Sequence, residues 1–227
     1  MNVINQIRNK VIVSVQALSK EPLHDEACMV AMMKSVILGG AAGLRVAGKR
    51  DIINAKKLFE VPVIGITKPD VIPENWQEVV YITPDLDRVN EVITAGADIV
   101  AFDGTARIRK GCNLKQIIET VRLSGKVSMA DISTFEEGVN ARLLGADIIS
   151  TTLAGYTKES LPADPEPAFE LLKKLVEELD CPVILEGKIQ TPEHVNNAFE
   201  LGAHAVVIGG AITKPISLTK KFVKRGK

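Results

Sequence analysis

The chain has 227 residues, which is enough for one large domain or two small ones, so length alone leaves the number of domains open. Its 28 basic residues offset its 28 acidic residues, which excludes the large positive surface that nucleic acids or anionic membranes attract. A 46% hydrophobic fraction with 25% charged residues is that of an ordinary globular protein with a sizeable core. We therefore expect neither a nucleic-acid partner nor a membrane.

The N-terminal segment and the cysteines indicate the cellular compartment of the protein. Residues 1–16 contain only a short apolar run and no small-residue cleavage site, so no secretory signal is expected. No apolar stretch approaches the roughly 20 residues of a membrane helix. Cys28, Cys112 and Cys181 lack the spacing of metal ligands and fit reduced thiols. These features predict a cytoplasmic protein.

A helix-like stretch, a glycine and an apolar run recur along the chain. The pattern appears at residues 39–44, 95–100, 144–149 and 201–206. A glycine just past a helix end adopts the left-handed conformation without a Cβ clash. The run that follows is apolar on both faces, as in a buried parallel strand. The repetition predicts alternating helices and strands around a parallel sheet.

Nine segments qualify as strands. In chain order they are Val11–Gln16, Gly43–Ala47, Val61–Thr67, Val79–Thr83, Ile99–Asp103, Val127–Asp131, Ile148–Thr152, Val183–Glu186 and Ala205–Ile208. Only the loop Pro69–Gln77 separates the fourth candidate from the third, so we interpret Val79–Thr83 as a short accessory strand. The other eight predict an α/β protein with a single (β/α)8 TIM barrel, one catalytic domain over residues 1–227. The alternative, a doubly wound open sheet, lacks a Gly-x-Gly-x-x-Gly motif after the first strand.

Polar side chains recur where the predicted barrel strands end, while the strand starts are apolar. They are Gln16, Arg45, Thr67, Lys68, Asp103, Asp131, Thr151, Thr152 and Glu186. A lone charged residue at such a position usually marks where the chain meets water. Polar residues at seven corresponding ends instead predict a site at the C-terminal mouth of the barrel.

The last two predicted strands lead into glycine-containing loops. Gly187 and Lys188 follow strand seven, and a helix is expected to start near Thr191. Gly209 and Gly210 follow strand eight, and a second lysine, Lys214, is close by. Glycines allow backbone N–H groups to approach an anion, and the loops after strands seven and eight often bind phosphate in this fold. We predict that Gly187, Lys188, Gly209, Gly210 and Lys214 bind a phosphorylated small molecule.

The three histidines argue against a metal site. His24, His194 and His204 are expected in helices or at a helix cap, away from the strand ends. A metal centre at the mouth would need histidine and carboxylate ligands that converge there. We therefore predict no metal, and we expect no serine or cysteine triad.

Lys68 and Glu186 are the predicted catalytic pair. A lysine in a cationic, partly desolvated pocket has a lowered pKa and can act as an acid or a base, and Arg45 would contribute to that. The pair suits removal of a proton next to a carbonyl and its return from the other face, which is epimerisation without a cofactor. Three alternatives stay open: a plain salt bridge between the two residues, a lyase with Lys68 as Schiff-base nucleophile, and a non-catalytic phosphosugar binder.

Motifs along nearly the whole chain resemble those of the N-acetylmannosamine-6-phosphate 2-epimerases. They are residues 14–17, 43–45, 63–68, 103–107, 129–133, 151–157, 185–188 and 207–213. The resemblance implies a cofactor-independent isomerase of bacterial sialic acid and amino-sugar breakdown. Its substrates would be N-acetylmannosamine 6-phosphate and N-acetylglucosamine 6-phosphate.

The same resemblance assigns roles to individual residues. Lys68 and Glu186 would transfer the C2 proton of the open-chain sugar. Substrate binding would fall to Gln16, Arg45, Asp131, Thr152 and Tyr156, with Tyr156 on a loop able to close over the sugar. Lys188 and Lys214 stand where the family often has arginine, which exchanges a planar fork for a point charge. Barrels of this kind commonly pair, so we expect a homodimer.

Overall fold

The computed structural model describes residues 2–161 and 165–223. Its eight parallel strands close into a barrel in chain order, and the last strand pairs with the first. The strands are β1 Lys10–Val15, β2 Gly43–Ala47, β3 Val63–Ile66, β4 Ile99–Asp103, β5 Val127–Asp131, β6 Ile148–Ser150, β7 Val183–Glu186 and β8 Ala205–Ile208. The predicted (β/α)8 barrel is confirmed, and the doubly wound sheet is excluded.

Helices alternate with the strands; most of them cover the outside of the barrel, and the first packs against the residues that fill its interior. They are α1 Val3–Gln6, α2 Glu26–Leu38, α3 Lys49–Leu58, α4 Leu86–Thr94, α5 Leu114–Leu123, α6 Phe135–Leu143, α7 Phe169–Glu178, α8 Pro192–Glu200, α9 Gly210–Thr213 and α10 Pro215–Val223. The helix expected near Thr191 is present as α8, because the Thr191 hydroxyl accepts a hydrogen bond from the His194 backbone N–H and caps its first turn.

The repeated glycine pattern has the predicted local structure. Gly40, Gly96, Gly145 and Gly202 each follow a helix and have φ values of 96°, 96°, 99° and 90°. A side chain at such a φ is strained, so glycine lets the chain leave each helix and turn directly into the next strand.

The core has two layers. Between the sheet and the helices lies a large apolar cluster that includes Val46, Val100 and Leu185. Inside the barrel, residues such as Ile64 and Ile184 fill the interior, so the barrel contains a packed core and no pore. Because these apolar side chains fill the barrel below its C-terminal end, the polar side chains lie at the C-terminal mouth.

The predicted accessory strand Val79–Thr83 is wrong: this segment has no strand structure. Two backbone–backbone hydrogen bonds connect it to β4 and to the residue after β3, from the Thr83 N–H to the Thr67 carbonyl (3.1 Å) and from the Asp103 N–H to the Ile82 carbonyl (3.2 Å). Thr83 has a φ of 43°, a left-handed conformation that ends any extended run. The Thr83 hydroxyl also accepts the Thr67 N–H at 3.0 Å, so local capping replaces a sheet ladder.

Three barrel strands end earlier than predicted: β1 is shifted by one residue, and β3 and β6 are shorter. β1, β3 and β6 end at Val15, Ile66 and Ser150, so Gln16, Lys68 and Thr152 lie one or two residues past their strands. Across the described ranges, no helix combines the length and the apolar character needed to cross a membrane.

Candidate active site

The C-terminal mouth of the barrel contains two adjoining cavities of about 400 Å³ and 520 Å³. Lys68, Thr152 and Glu186 border both cavities, and so do Gly209 and Gly210. Side chains from opposite sides of the eight-stranded ring therefore meet in one continuous space, as the strand-end pattern predicts.

Arg45 is the electrostatic centre of this space. Its Nη1 and Nη2 atoms donate to Oδ1 and Oδ2 of Asp131 at 3.1 Å and 2.6 Å, and Nη1 lies 2.9 Å from Oε2 of Glu186. The exposed fractions of the three side chains are 1%, 0% and 14%. Burial disfavours the charged guanidinium, but the two carboxylates outweigh it and raise the pKa of Arg45. The three residues come from β2, β5 and β7, and Arg45 stays a cation.

Thr152 connects the two carboxylates. Its hydroxyl lies 2.6 Å from Oδ1 of Asp131 and 3.2 Å from Oε2 of Glu186. A hydroxyl has a single hydrogen to donate, and the shorter contact is to Asp131. The hydroxyl oxygen can then accept a hydrogen bond from a protonated Glu186.

Lys68 and Glu186 both titrate close to neutral pH. Burial, together with the nearby Arg45 charge, lowers the pKa of Lys68 to about 8. Burial raises the pKa of Glu186 to about 7, where the Asp131 charge adds to the shift and Arg45 opposes it. Among the described residues, no ion pair within 4.0 Å joins Lys68 to Glu186, and the carboxylate pairs with Arg45 instead. The alternative of a plain Lys68–Glu186 salt bridge is therefore not what the structure contains.

Two polar atoms near the cavity lack a partner in the part of the chain that the structure describes. They are Oε1 of Gln16 and Nε of Arg45, and both are buried. Gln16 donates through Nε2 to the Ser14 hydroxyl at 2.8 Å, and it borders the smaller cavity. Because a buried unpaired polar atom is costly, such an atom beside a cavity is suited to a hydrogen bond with a polar ligand.

The predicted phosphate residues divide between the two cavities. Gly209 and Gly210 border both, whereas Lys214 borders only the smaller one and Lys188 only the larger one. Gly187 and Lys188 both have left-handed backbones, with φ values of 111° and 57°. The side chain of Lys188 points toward the Tyr156 ring, with Nζ 5.6 Å from the ring centroid.

Lys214 already has a protein partner. Its Nζ lies 2.9 Å and 3.0 Å from Oε1 and Oε2 of Glu21. Glu21 was not among the residues expected at the site, because it belongs to the segment after β1 and not to a strand end. Glu21 and Lys214 are 193 residues apart, and the contact exists only because β1 and β8 are neighbours in the closed barrel.

Two loops meet over the larger cavity. The ring centroids of Trp76 and Tyr156 are 6.4 Å apart. The Lys158 N–H donates to the Gln77 carbonyl at 3.2 Å. Arg107 donates to the carbonyls of Trp76 and Val79 at 3.0 Å and 2.9 Å. Tyr156 therefore lies at the mouth as expected, against a loop that Arg107 holds in place.

The predicted placement of the histidines is wrong for one of the three, His204. His194 lies in α8, but His204 is the residue before β8, where Nε2 lies 2.8 Å from the Ile4 carbonyl. His24 ends a short 3-10 turn, Pro22–His24, and borders the smaller cavity. The segment after β1 folds back over the mouth, which strand-end reasoning did not consider. Within the described residues, no group of three or more His, Cys, Asp or Glu side chains could hold a metal ion.

A closed (β/α)8 barrel with a lysine and a carboxylic acid that titrate near neutral pH at its mouth defines a class: barrel enzymes that work by acid–base chemistry. A family model described as "Putative N-acetylmannosamine-6-phosphate epimerase" matches residues 29–227. Two relatives named "Putative N-acetylmannosamine-6-phosphate 2-epimerase" come from Clostridioides difficile and Caldanaerobacter subterraneus. The first is 42% identical over 97% of this chain and 97% of its own length, and the second is 45% identical over 98% and 93%.

A solved structure gives the same result. The N-acetylmannosamine-6-phosphate 2-epimerase from Clostridium perfringens is 40% identical and superposes with a TM-score of 0.92, covering 99% of this chain and 96% of that one. The chain belongs to the N-acetylmannosamine-6-phosphate 2-epimerase family, a family of isomerases.

Proposed function

We propose that this chain interconverts N-acetylmannosamine 6-phosphate and N-acetylglucosamine 6-phosphate, with Lys68 and Glu186 as the proton-transfer groups. One observation carries the proposal beyond family membership. Lys68 follows β3 and Glu186 ends β7, and these strands are four positions apart in an eight-stranded ring. The two groups therefore approach a sugar in the mouth from opposite sides, as inversion at one carbon requires.

The protonation states suit the reaction. In the open-chain sugar, the aldehyde at C1 acidifies the proton on C2. One group removes that proton while the other supplies a proton to the opposite face. Between pH 7 and 8 the ionised form of Glu186 and the ammonium form of Lys68 coexist, since their pKa values are about 7 and about 8. The reverse reaction uses the same two groups with their protons exchanged.

The neighbouring side chains fit supporting roles. Arg45 remains a cation beside Glu186, so it can stabilise the negative charge of the enolate. Gln16 has an unpaired buried Oε1 that can accept a hydrogen bond from the sugar. Asp131 bonds to Arg45 and Thr152, so we assign it to holding those two groups in place.

The glycine loops suit a phosphate at the end of the substrate. Gly209 and Gly210 border both cavities, so their backbone N–H groups would be within reach of a phosphate bound there. Lys188 and Lys214 flank them with positive charge from either side. A phosphate that binds near Lys214 would share this lysine with Glu21.

We also propose that residues 1–227 form one catalytic domain that acts as a cytoplasmic homodimer without a nucleic-acid partner. Free thiols at Cys28, Cys112 and Cys181 suit a reducing compartment. Helix α10 exposes Phe222 and Val223, apolar side chains that a second copy could cover. Light scattering in solution would measure the mass.

The activity and its residues are tested together. We expect the purified protein to convert N-acetylmannosamine 6-phosphate to the gluco epimer in an NMR assay. Lys68→Met and Glu186→Gln should each lower kcat about 10²- to 10⁴-fold, the usual contribution of a general acid or base. Lys56→Met is the matched control, because Lys56 pairs with Asp98 outside the mouth. Full activity in either site variant would refute the assignment.

A further inference from the structure

The segment between β1 and α2 brings a histidine to the cavity. His24 borders the smaller cavity together with Gln16, Arg45 and Lys68. The proton-transfer scheme does not use His24, and the ion pairs of Arg45 and Lys214 do not involve it. His24 therefore has no role in the scheme so far, and the role proposed for it rests on the proposed function.

The backbone determines which nitrogen of His24 carries the hydrogen. Nδ1 lies 3.0 Å from the carbonyl oxygen of Ala17. A carbonyl oxygen can only accept, so Nδ1 must donate, and the hydrogen of the neutral ring is on Nδ1. Nε2 then has a lone pair and acts as an acceptor. In the described part of the chain, Nε2 has no hydrogen-bond partner.

The backbone of His24 is held on both sides, by its own segment and by α3. The His24 N–H donates to the Glu21 carbonyl at 3.0 Å, and Arg50 donates through Nη2 to the His24 carbonyl at 2.8 Å. Glu21 is fixed in turn, because its Oε2 accepts the Leu18 N–H at 2.7 Å and both its oxygens pair with Lys214. The acceptor therefore has a defined position and little entropy to lose when a ligand binds.

Nε2 of His24 adds an acceptor to a cavity in which Oε1 of Gln16 is also unpaired. The charged donors of this cavity, Arg45, Lys68 and Lys214, suit anionic oxygens, but an open-chain sugar also brings several hydroxyl hydrogens. The carboxylates of Asp131 and Glu186 already accept from Arg45. We propose that His24 is a substrate-binding residue whose Nε2 accepts a hydrogen bond from a hydroxyl group of the sugar phosphate.

Two substitutions separate this role from a structural one. His24→Asn keeps an N–H donor near the Nδ1 position for the Ala17 carbonyl, but it removes Nε2. His24→Gln places an amide oxygen near the Nε2 position and gives up the Nδ1 donor. If Nε2 binds substrate, His24→Asn raises KM roughly three- to tenfold, the effect of one lost neutral hydrogen bond, and His24→Gln stays within about twofold of the parent.

The opposite pattern would overturn the proposal. A normal KM in His24→Asn with a raised KM in His24→Gln would mean that His24 acts only through Ala17. The inhibition constant of inorganic phosphate serves as a second readout, and it should be the same in both variants and the parent. Thermal unfolding midpoints identify any variant that fails to fold.

A measurement on the parent protein needs no variant. With ¹⁵N-labelled histidine, the Nε2 resonance of His24 should have the chemical shift of an unprotonated acceptor. It should move upfield when the sugar phosphate is added and stay in place when inorganic phosphate is added. A resonance that ignores the sugar phosphate, in a protein that turns it over, would refute the role of His24 alone. A protein that binds without turnover would instead refute the proposed function.

Discussion

Arg45 controls the proton affinities of the residues around it. The positive charge opposes protonation of Lys68, and it counteracts part of the effect of burial on Glu186. It can do so at any working pH because the two carboxylates keep it charged. Burial thus brings the pKa values of the lysine and the glutamic acid to within about one unit of each other, and the buried Arg45 cation lowers both.

This arrangement predicts a bell-shaped dependence of kcat/KM on pH. Below about pH 7 Glu186 becomes protonated, and above about pH 8 Lys68 loses its proton, so the active combination declines on both sides of a maximum between these values. Initial rates from pH 5.5 to 9.5 in both directions would measure it. A flat profile over pH 6–9 would contradict the assignment.

The Asp131→Asn variant sharpens the same test. The Asp131 charge favours the protonated forms of both Lys68 and Glu186, so an uncharged amide should move both limbs of the profile to lower pH. Asp98→Asn is the control, because Asp98 pairs with Lys56 outside the mouth, and this change should leave both limbs in place.

At the scale of elements, the barrel brings strands and helices close enough that some positions tolerate no side chain. Gly65 in β3 is such a position. A Cβ there would lie 2.7 Å, 2.8 Å and 2.9 Å from side-chain atoms of Val92, Ala97 and Ile52. Val92 belongs to α4, Ala97 to the turn after α4 and Ile52 to α3. Two helices therefore pack directly onto the backbone of β3.

Gly65→Ala should therefore lower the free energy of unfolding by about 1–3 kcal/mol, the usual cost of overpacking a dense core. Urea denaturation followed by circular dichroism would measure the change. Gly39→Ala is the matched control: Gly39 is exposed, with a φ of −74° that any residue adopts, and its replacement should cost little. Equal stability of the two variants would show that β3 and its helices can separate without penalty.

The loops at the mouth contact one another because the barrel is closed. Arg107 follows β4 yet donates to carbonyls of the loop after β3, and that loop contacts Tyr156 after β6. The loops after β3 and β6 therefore both border the larger cavity, and Arg107 from a third βα unit supports the first of them. No short stretch of sequence contains all of these segments.

For the whole molecule, the sequence predicts the barrel well, because glycine turns and buried strands are local features. The strand-end rule likewise brings Arg45, Asp131 and Glu186 together, since parallel strands end at one edge. The strand prediction fails for Val79–Thr83, because its apolar pattern resembles a strand but Thr83 has a left-handed backbone. The rule that polar residues at strand ends form the site also misses His24, which lies beside the cavity in the segment after β1.

Partners within the site are harder to predict than positions. One alternative that the sequence leaves open is a salt bridge between Lys68 and Glu186, yet the carboxylate pairs with Arg45 at 2.9 Å. Lys214 is expected to be free for phosphate, yet it bonds to Glu21. Side-chain partners depend on distances across the closed ring, which no periodicity in the sequence records.

The most direct test of the account is the fate of the C2 hydrogen. N-acetylmannosamine 6-phosphate is incubated with the protein in heavy water, and the C2 position of both sugars is followed by NMR. If Lys68 and Glu186 act on opposite faces, the gluco epimer forms with deuterium at C2, while substrate recovered early still has its original hydrogen. A product that retains the original C2 hydrogen would contradict the two-group mechanism.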